Sequence, residues 1–364
     1  MKSFLCSAFV INHSASVKTR FHSWKLLAAT FLLLAFAFST RASAQTAQWV
    51  KQMGTGGISN GVSSDSAGNA YATGIVSNPG LFENLVISCQ VSDVFLTKYD
   101  PSGNLLRATI GGGDLLDQAS DIVTDANGTS YVVGAIQTNS LHPTATFGNF
   151  TLTGDGDADW LLVMYDSFGN VVWAKNGGST AGDIAYGVGL DSAGNVYVTG
   201  HFGGTMTVDG TTVVSSGLFG IFLAKFDFSG SLLWLKRAGG AGSAIPHGLV
   251  VDSLGNVAIT GEFQGTAKFD ARSVRASGLG DAFIAKYDSA GSNVWVHSGG
   301  SLSATRPRRS RQMQGTTSIS RAITPAPPPS TDSRSGTSAP VAPISLWPSI
   351  TMPGPSNGFI TLAV

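Results

Sequence analysis

The sequence predicts an all-β protein: a β-propeller of four-stranded antiparallel blades, about 61 residues per repeat, forming an incomplete ring. Three observations predict it. Gly numbers 46 while charged residues make up only 12%, which suits strands and tight turns rather than helices. Linked motifs recur in fixed order along most of the chain. Each motif joins two runs of alternating β-branched and aromatic residues through a turn rich in Asp, Gly and Asn.

The first 44 residues read as a secretory signal peptide. Lys18, Arg20 and Lys25 precede the apolar run Leu26 to Phe38, and Ala42-Ser43-Ala44 offers a small-residue cleavage site. That run has 13 residues, short of the ~20 a spanning helix needs, so no membrane span is expected after cleavage. The reading places the protein outside the cell, at its surface or in the periplasm. Cys89 is then the one cysteine left, and stability must come from packing rather than an internal disulfide.

Residues 45–302 hold the propeller repeats. Four segments align on Asp65, Asp125, Asp191 and Asp252, each opening a D-x-x-G turn before a strand that ends in Gly74, Gly134, Gly200 or Gly261. A second set aligns on Asp100, Asp166, Asp227 and Asp288. A third landmark is a Trp followed by a Gly pair, at Trp49, Trp173, Trp234 and Trp295; the corresponding residue of the first full unit is Arg107, where more exposure is expected. In each turn the Asp carboxylate can bond nearby amides while Gly takes a positive φ. Two such hairpins make four antiparallel strands, and Asp209-Gly210 suggests a further short hairpin between them. One four-stranded sheet cannot cover both its faces; radial repetition does. Gln48-Trp49-Val50-Lys51 reads as the last strand of a unit without its first three, so a closing strand and four units are expected to leave an open arc.

The ordered pattern D-x-x-G-N-x-Y-x-T-G, D-x-F-x-x-K-Y-D-x-x-G, W-x-K-x-x-G-G resembles the bacterial SBBP-type β-propeller repeat. The first hairpin of each unit is also similar to NHL repeats. The resemblance covers residues 45–302 and implies an exported, often surface-associated propeller. It brings no catalytic residues with it.

Residues 303–364 break the pattern: they hold 10 of the 14 Pro and neither Tyr nor Lys. Composition predicts a disordered Pro/Ser/Thr/Arg-rich tail with irregular backbone. The tail also reads as a frameshifted fifth repeat. Thr316 to Ala322 can be encoded so that dropping two bases gives Asn-Val-Tyr-Leu-Thr-Gly, and Pro343 to Ile350 likewise gives Asp-Ile-Phe-Val-Ala-Lys-Tyr.

Chemistry-bearing motifs are few. Gly57-Ile58-Ser59-Asn60-Gly61 matches G-x-S-x-G, but a nucleophile elbow needs a strand–turn–helix setting, and here strands flank it. Asp155, Asp157 and Asp159 form a D-x-D-x-D candidate for Ca²⁺, although Trp160 stands where such a loop needs Gly. His142, His201, His247 and His297 occupy four different repeat positions with no metal-ligand spacing. No cofactor is expected. Residues 45–302 carry 11 basic and 21 acidic groups, a net of −10, which repels phosphate backbones and argues against nucleic acid. The function expected is a non-catalytic binding or scaffold module for a protein or glycan. The alternatives are a propeller hydrolase or lyase with a site at the channel mouth, or a truncated product without function.

Overall fold

The computed structural model describes residues 48–51, 56–154, 156–300, 350–353 and 359–362. The proposed leader, most of the tail and Asp155 lie outside them. The first unit runs β1 (Ile58–Ser64), β2 (Ala70–Ser77), a hairpin of β3 (Gly80–Phe82) and β4 (Leu85–Ile87), then β5 (Ser92–Tyr99) and β6 (Leu105–Gly113). The second is β7 (Gln118–Thr124), β8 (Ser130–Gln137), hairpin β9 (Thr144–Phe147) and β10 (Phe150–Thr153), β11 (Ala158–Tyr165) and β12 (Val171–Gly177). The third is β13 (Ile184–Leu190), β14 (Val196–Phe202), hairpin β15 (Thr205–Val208) and β16 (Thr211–Val214), β17 (Gly220–Phe226) and β18 (Leu232–Gly240). The fourth is β19 (Ala244–Val251), β20 (Val257–Phe263), hairpin β21 (Thr266–Phe269) and β22 (Arg272–Arg275), β23 (Asp281–Tyr287) and β24 (Asn293–Gly299).

In every unit the four long strands form one antiparallel sheet in chain order, a propeller blade. The first strands of successive blades lie side by side, β1 by β7, β7 by β13 and β13 by β19. These are the inner strands, and β1 and β19 make no such packing with each other. Among the described residues the blades therefore form an arc with no closed ring. Apolar side chains fill each seam: Val94 and Leu96 with Ile122 and Leu161 between blades 1 and 2, Trp160 with Phe222 and Phe226 between 2 and 3, and Tyr197 and Leu223 with Leu249 between 3 and 4. Buried aromatic and aliphatic area of this kind supplies the main driving force for stacking.

The turns behave as their residue types require. In all eight D-x-x-G turns Asp Oδ1 accepts two backbone N–H groups, two and four residues on, at 2.8–3.0 Å. The turn glycines have φ of 76–90°, a region costly for other residues. Asp209 and Gly210, both at positive φ, turn β15 into β16. One feature of these hairpins is not visible in the motif. The β9–β10 hairpin of blade 2 pairs onto β6 of blade 1 through Gly112↔Thr146 and Gly113↔Ala145, and β21 pairs onto β18 in the same way. Each of these two hairpins extends the sheet of the preceding blade.

The recurring Trp is a latch between blades. Trp173 Nε1 donates to Phe228 O at 3.1 Å, and Trp234 Nε1 to Ser289 O at 3.2 Å, each bonding the next blade's second turn with its ring over the turn glycine. Trp49 treats the turn of blade 1 identically, through Pro101 O at 3.2 Å and Gly103. Lys51 pairs with Glu83 at 2.8 Å just as Lys175 pairs with Asp209 at 2.9 Å. Residues 48–51 thus make the contacts of an outer strand of a preceding blade. Arg107 lays its side-chain stem over Gly169 and donates to Asn170 Oδ1 at 3.3 Å. It is more exposed than the Trp residues, as expected.

β25 (Ile350–Pro353) and β26 (Phe359–Leu362) pair with each other in an antiparallel hairpin. This corrects the expectation of irregular backbone for these eight residues. Ile350, Thr351, Phe359, Ile360 and Thr361 have high strand propensity, and both strands are edges, where Pro353 is tolerated.

Candidate functional site

All four inner strands carry a β-bulge at the same repeat position. The register skips Asn60 in β1, Ser120 in β7, Tyr186 in β13 and His247 in β19. A bulge re-aims one side chain and is common beside binding sites. It also explains the glycine that ends the neighbouring strand. A Cβ on Gly74, Gly134, Gly200 or Gly261 would lie 1.9–2.2 Å from the carbonyl oxygen just before the bulge. The frame is constant, yet the bulged residue differs in every blade and is polar in each. This row follows the inner strands along the arc, with Asn60 Nδ2 donating to Ala119 O of the next blade at 2.8 Å.

Between blades 3 and 4 the row becomes a cluster. The Tyr186 ring lies 5.4 Å from His201 and 6.3 Å from His247, the Phe219 ring lies tilted 4.5 Å from His201, and His247 Nε2 is 3.8 Å from Glu262 Oε1. Burial pushes the His201 pKa down to about 4, against a hydrogen bond at the Gly182 backbone and with a smaller push from His247. His201 is therefore neutral near pH 7 and offers hydrogen bonding and an aromatic face. Half-buried Tyr186, His247 and Glu262 add a phenol, an imidazole and a carboxylate.

The residues singled out by sequence fall as follows. His201 and His247 converge through Tyr186, while His142 bonds Asp114 at 2.8 Å and His297 lies 5.4 Å from the Trp295 ring, both elsewhere. Ser59 lies inside β1, its hydroxyl 3.4 Å from Thr73 O. Of the D-x-D-x-D candidate, Asp157 is exposed, Asp159 is buried beside Asp183, and Asp155 is outside the described residues. No group of three His, Cys, Asp or Glu side chains suited to a metal occurs among the described residues. Cys89 is a buried free thiol. Among the described residues no helix is long and apolar enough to cross a membrane. Sequence reasoning missed the bulge row because a bulge is a register fact; the Gly closing each first hairpin was its trace.

No family model matches the chain. An uncharacterized WD repeat-containing protein of Acanthamoeba polyphaga mimivirus is 25% identical over 234 residues, covering 55% of this chain. The chain spans 17% of that relative's length. Among solved structures, a protein of unknown function from Bacteroides caccae is 10% identical with a TM-score of 0.31, covering 69% of this chain and 85% of that one. Kuenenia stuttgartiensis hydrazine synthase is 11% identical with a TM-score of 0.32, covering 68% of this chain and 66% of that one. With the blades and the repeated motifs in view, this chain is a repeat protein of the β-propeller type.

Proposed function

We propose that the chain is an exported β-propeller acting as a non-catalytic binding or scaffold module for a protein or glycan. The observation that carries this is the bulge row. A constant frame places a different polar residue at the bulge of each inner strand, Asn60, Ser120, Tyr186 and His247; Ser120 is buried and Asn60 bonds the next blade, while half-buried Tyr186 and His247 offer their polar groups to a partner. The WD repeat-containing relative supports a protein partner, and the acidic charge of 45–302 disfavours nucleic acid.

The full chain, immobilised and screened against peptide and glycan arrays, should give hits whose affinity falls at least ~10-fold in a Tyr186→Ala/His247→Ala variant, with the thermal midpoint unchanged. Equal binding by the variant would sink this reading. Turnover of a chromogenic ester or glycoside that His247→Ala abolishes would replace it with the hydrolase or lyase alternative.

A further inference from the structure

Two buried carboxyls face each other at the seam between blades 1 and 2. Asp93, at the start of β5, is 5% exposed, and Asp117, just before β7, is 0% exposed. A Cβ built on Gly112 would meet Asp93 Oδ1 at 2.4 Å and Asp117 Oδ2 at 2.6 Å. The two oxygens therefore lie within about 5 Å of each other, where like charges oppose joint ionisation. Asp117 accepts from the Gly113 and Gln137 amides at 2.5 and 2.9 Å, and Asp93 from the Gln90 amide. Asp93 Oδ1 is buried without a hydrogen-bond donor. No lysine or arginine is ion-paired with either group among the described residues. The other titratable neighbours are the Cys89 thiol, pushed up by burial and then by Asp93, and Asp114 at the outer side, bonded to His142. Two carboxylates with no counter-charge need a positive charge between them.

The arrangement repeats. At the seam between blades 2 and 3, a Cβ on Gly178 would meet Asp159 Oδ1 at 2.2 Å and Asp183 Oδ2 at 2.8 Å. Asp183 accepts from Ser179 N, Ser179 Oγ and Gly203 N as Asp117 does from its own amides. At the seam between blades 3 and 4 the corresponding residues are Gly220 and Ala244. The same seam is thus built there without any carboxyl, so the acid pairs are not a requirement of the fold.

We infer that the seam between blades 1 and 2 is closed by a proton shared between Asp93 and Asp117, so that this seam is tight in mild acid and loosens as the proton leaves. Protonated, one carboxyl donates to the other and Asp93 Oδ1 gains a partner; deprotonated, the seam holds two like charges side by side. Burial pushes Asp93 up to about 6 and Asp117 up to about 7, the latter helped by Asp93, and burial also raises Asp183. The loosening is placed between mild acid and the neutral range.

Thermal unfolding of the full chain at pH 5 and pH 8 tests this. The wild type should melt about 5 °C lower at pH 8. Asp93→Asn, whose amide donates to Asp117 at any pH, should raise the pH 8 midpoint and narrow the gap. Asp93→Gly/Asp117→Ala, which copies the third seam, should narrow it as well. The infrared band of a protonated carboxyl at pH 6 should weaken in both variants. The inference is overturned by a midpoint unchanged from pH 5 to 8, by both variants melting lower than wild type at pH 8, or by millimolar Ca²⁺ restoring the wild type alone at pH 8. That last result would make the bridge a cation.

Discussion

Gly200→Ala is expected to destabilise the protein by about 3 kcal/mol. The new Cβ would lie 2.1 Å from Ile184 O, 2.6 Å from Phe222 Cε1 and 2.8 Å from Ala185 Cα. Two of these atoms are backbone of the bulged strand, which cannot turn aside like a flexible side chain. Relief would require undoing the bulge, and with it the register that places Tyr186. Gly182→Ala is the control, since a Cβ there meets nothing within 4 Å; its effect should stay within about 0.5 kcal/mol. Urea titrations of both variants measure the difference, and equal losses would contradict the bulge account.

Asp191→Ala should cost about 3–5 kcal/mol, because it strands a buried cation. Asp191 Oδ1 anchors the turn through the Ala193 and Asn195 amides, while Oδ2 takes Asn195 Nδ2, Tyr197 Oη and Lys225 Nζ at 2.8–3.2 Å. The Asp191 and Lys225 side chains are only 7% and 10% exposed. Burial disfavours both charges, but the bonds from Asn195 and Lys225 hold Asp191 below its usual pKa, and those from Tyr197 and Asp191 hold Lys225 above its own. Asp227→Ala removes a turn Asp with no buried cation and should cost far less; a similar loss in chemical denaturation would mean that the ion pair contributes little. The two kinds of carboxyl also give opposite pH dependences. Asp191, depressed in the fold, stabilises above its ordinary pKa of 3.8 and loses that contribution as pH falls through its lower folded value. Asp93 and Asp117, raised in the fold, stabilise fully below 3.8 and lose that contribution as pH rises through about 6 and 7. Stability should peak in mild acid.

The repeat, its turns and the extra hairpin were legible because each rests on short-range chemistry. Asp65 and its counterparts bond amides two and four residues away, a distance any turn motif displays. Features written across blades were not legible. The Asp93–Asp117 facing pair, the Trp173 bond to Phe228 and the pairing of β9 onto β6 join residues 24, 55 and 32 to 34 positions apart, and only the radial stacking brings them together. The bulge row lay between: its glycine recurs in the repeat motif, but period-2 patterning assigns each strand residue to a face and has no place for an extra one. Of the candidate site, His201 and His247 were noted as residues. Their meeting through Tyr186 is a consequence of neighbouring inner strands.

One distance distinguishes an open arc of four blades from a closed ring. Spin labels at Ala67, Asn127 and Leu254, exposed tips of the first turns of blades 1, 2 and 4, can be read by pulsed electron resonance in a background lacking Cys6 and Cys89. In a closed ring of four, blade 4 would neighbour blade 1 as closely as blade 2 does, so the 67–254 and 67–127 distances would match. The arc predicts a single, clearly longer distance for 67–254, because β1 packs on β7 and not on β19. Equal distances would contradict it and make residues 45–302 a complete small propeller.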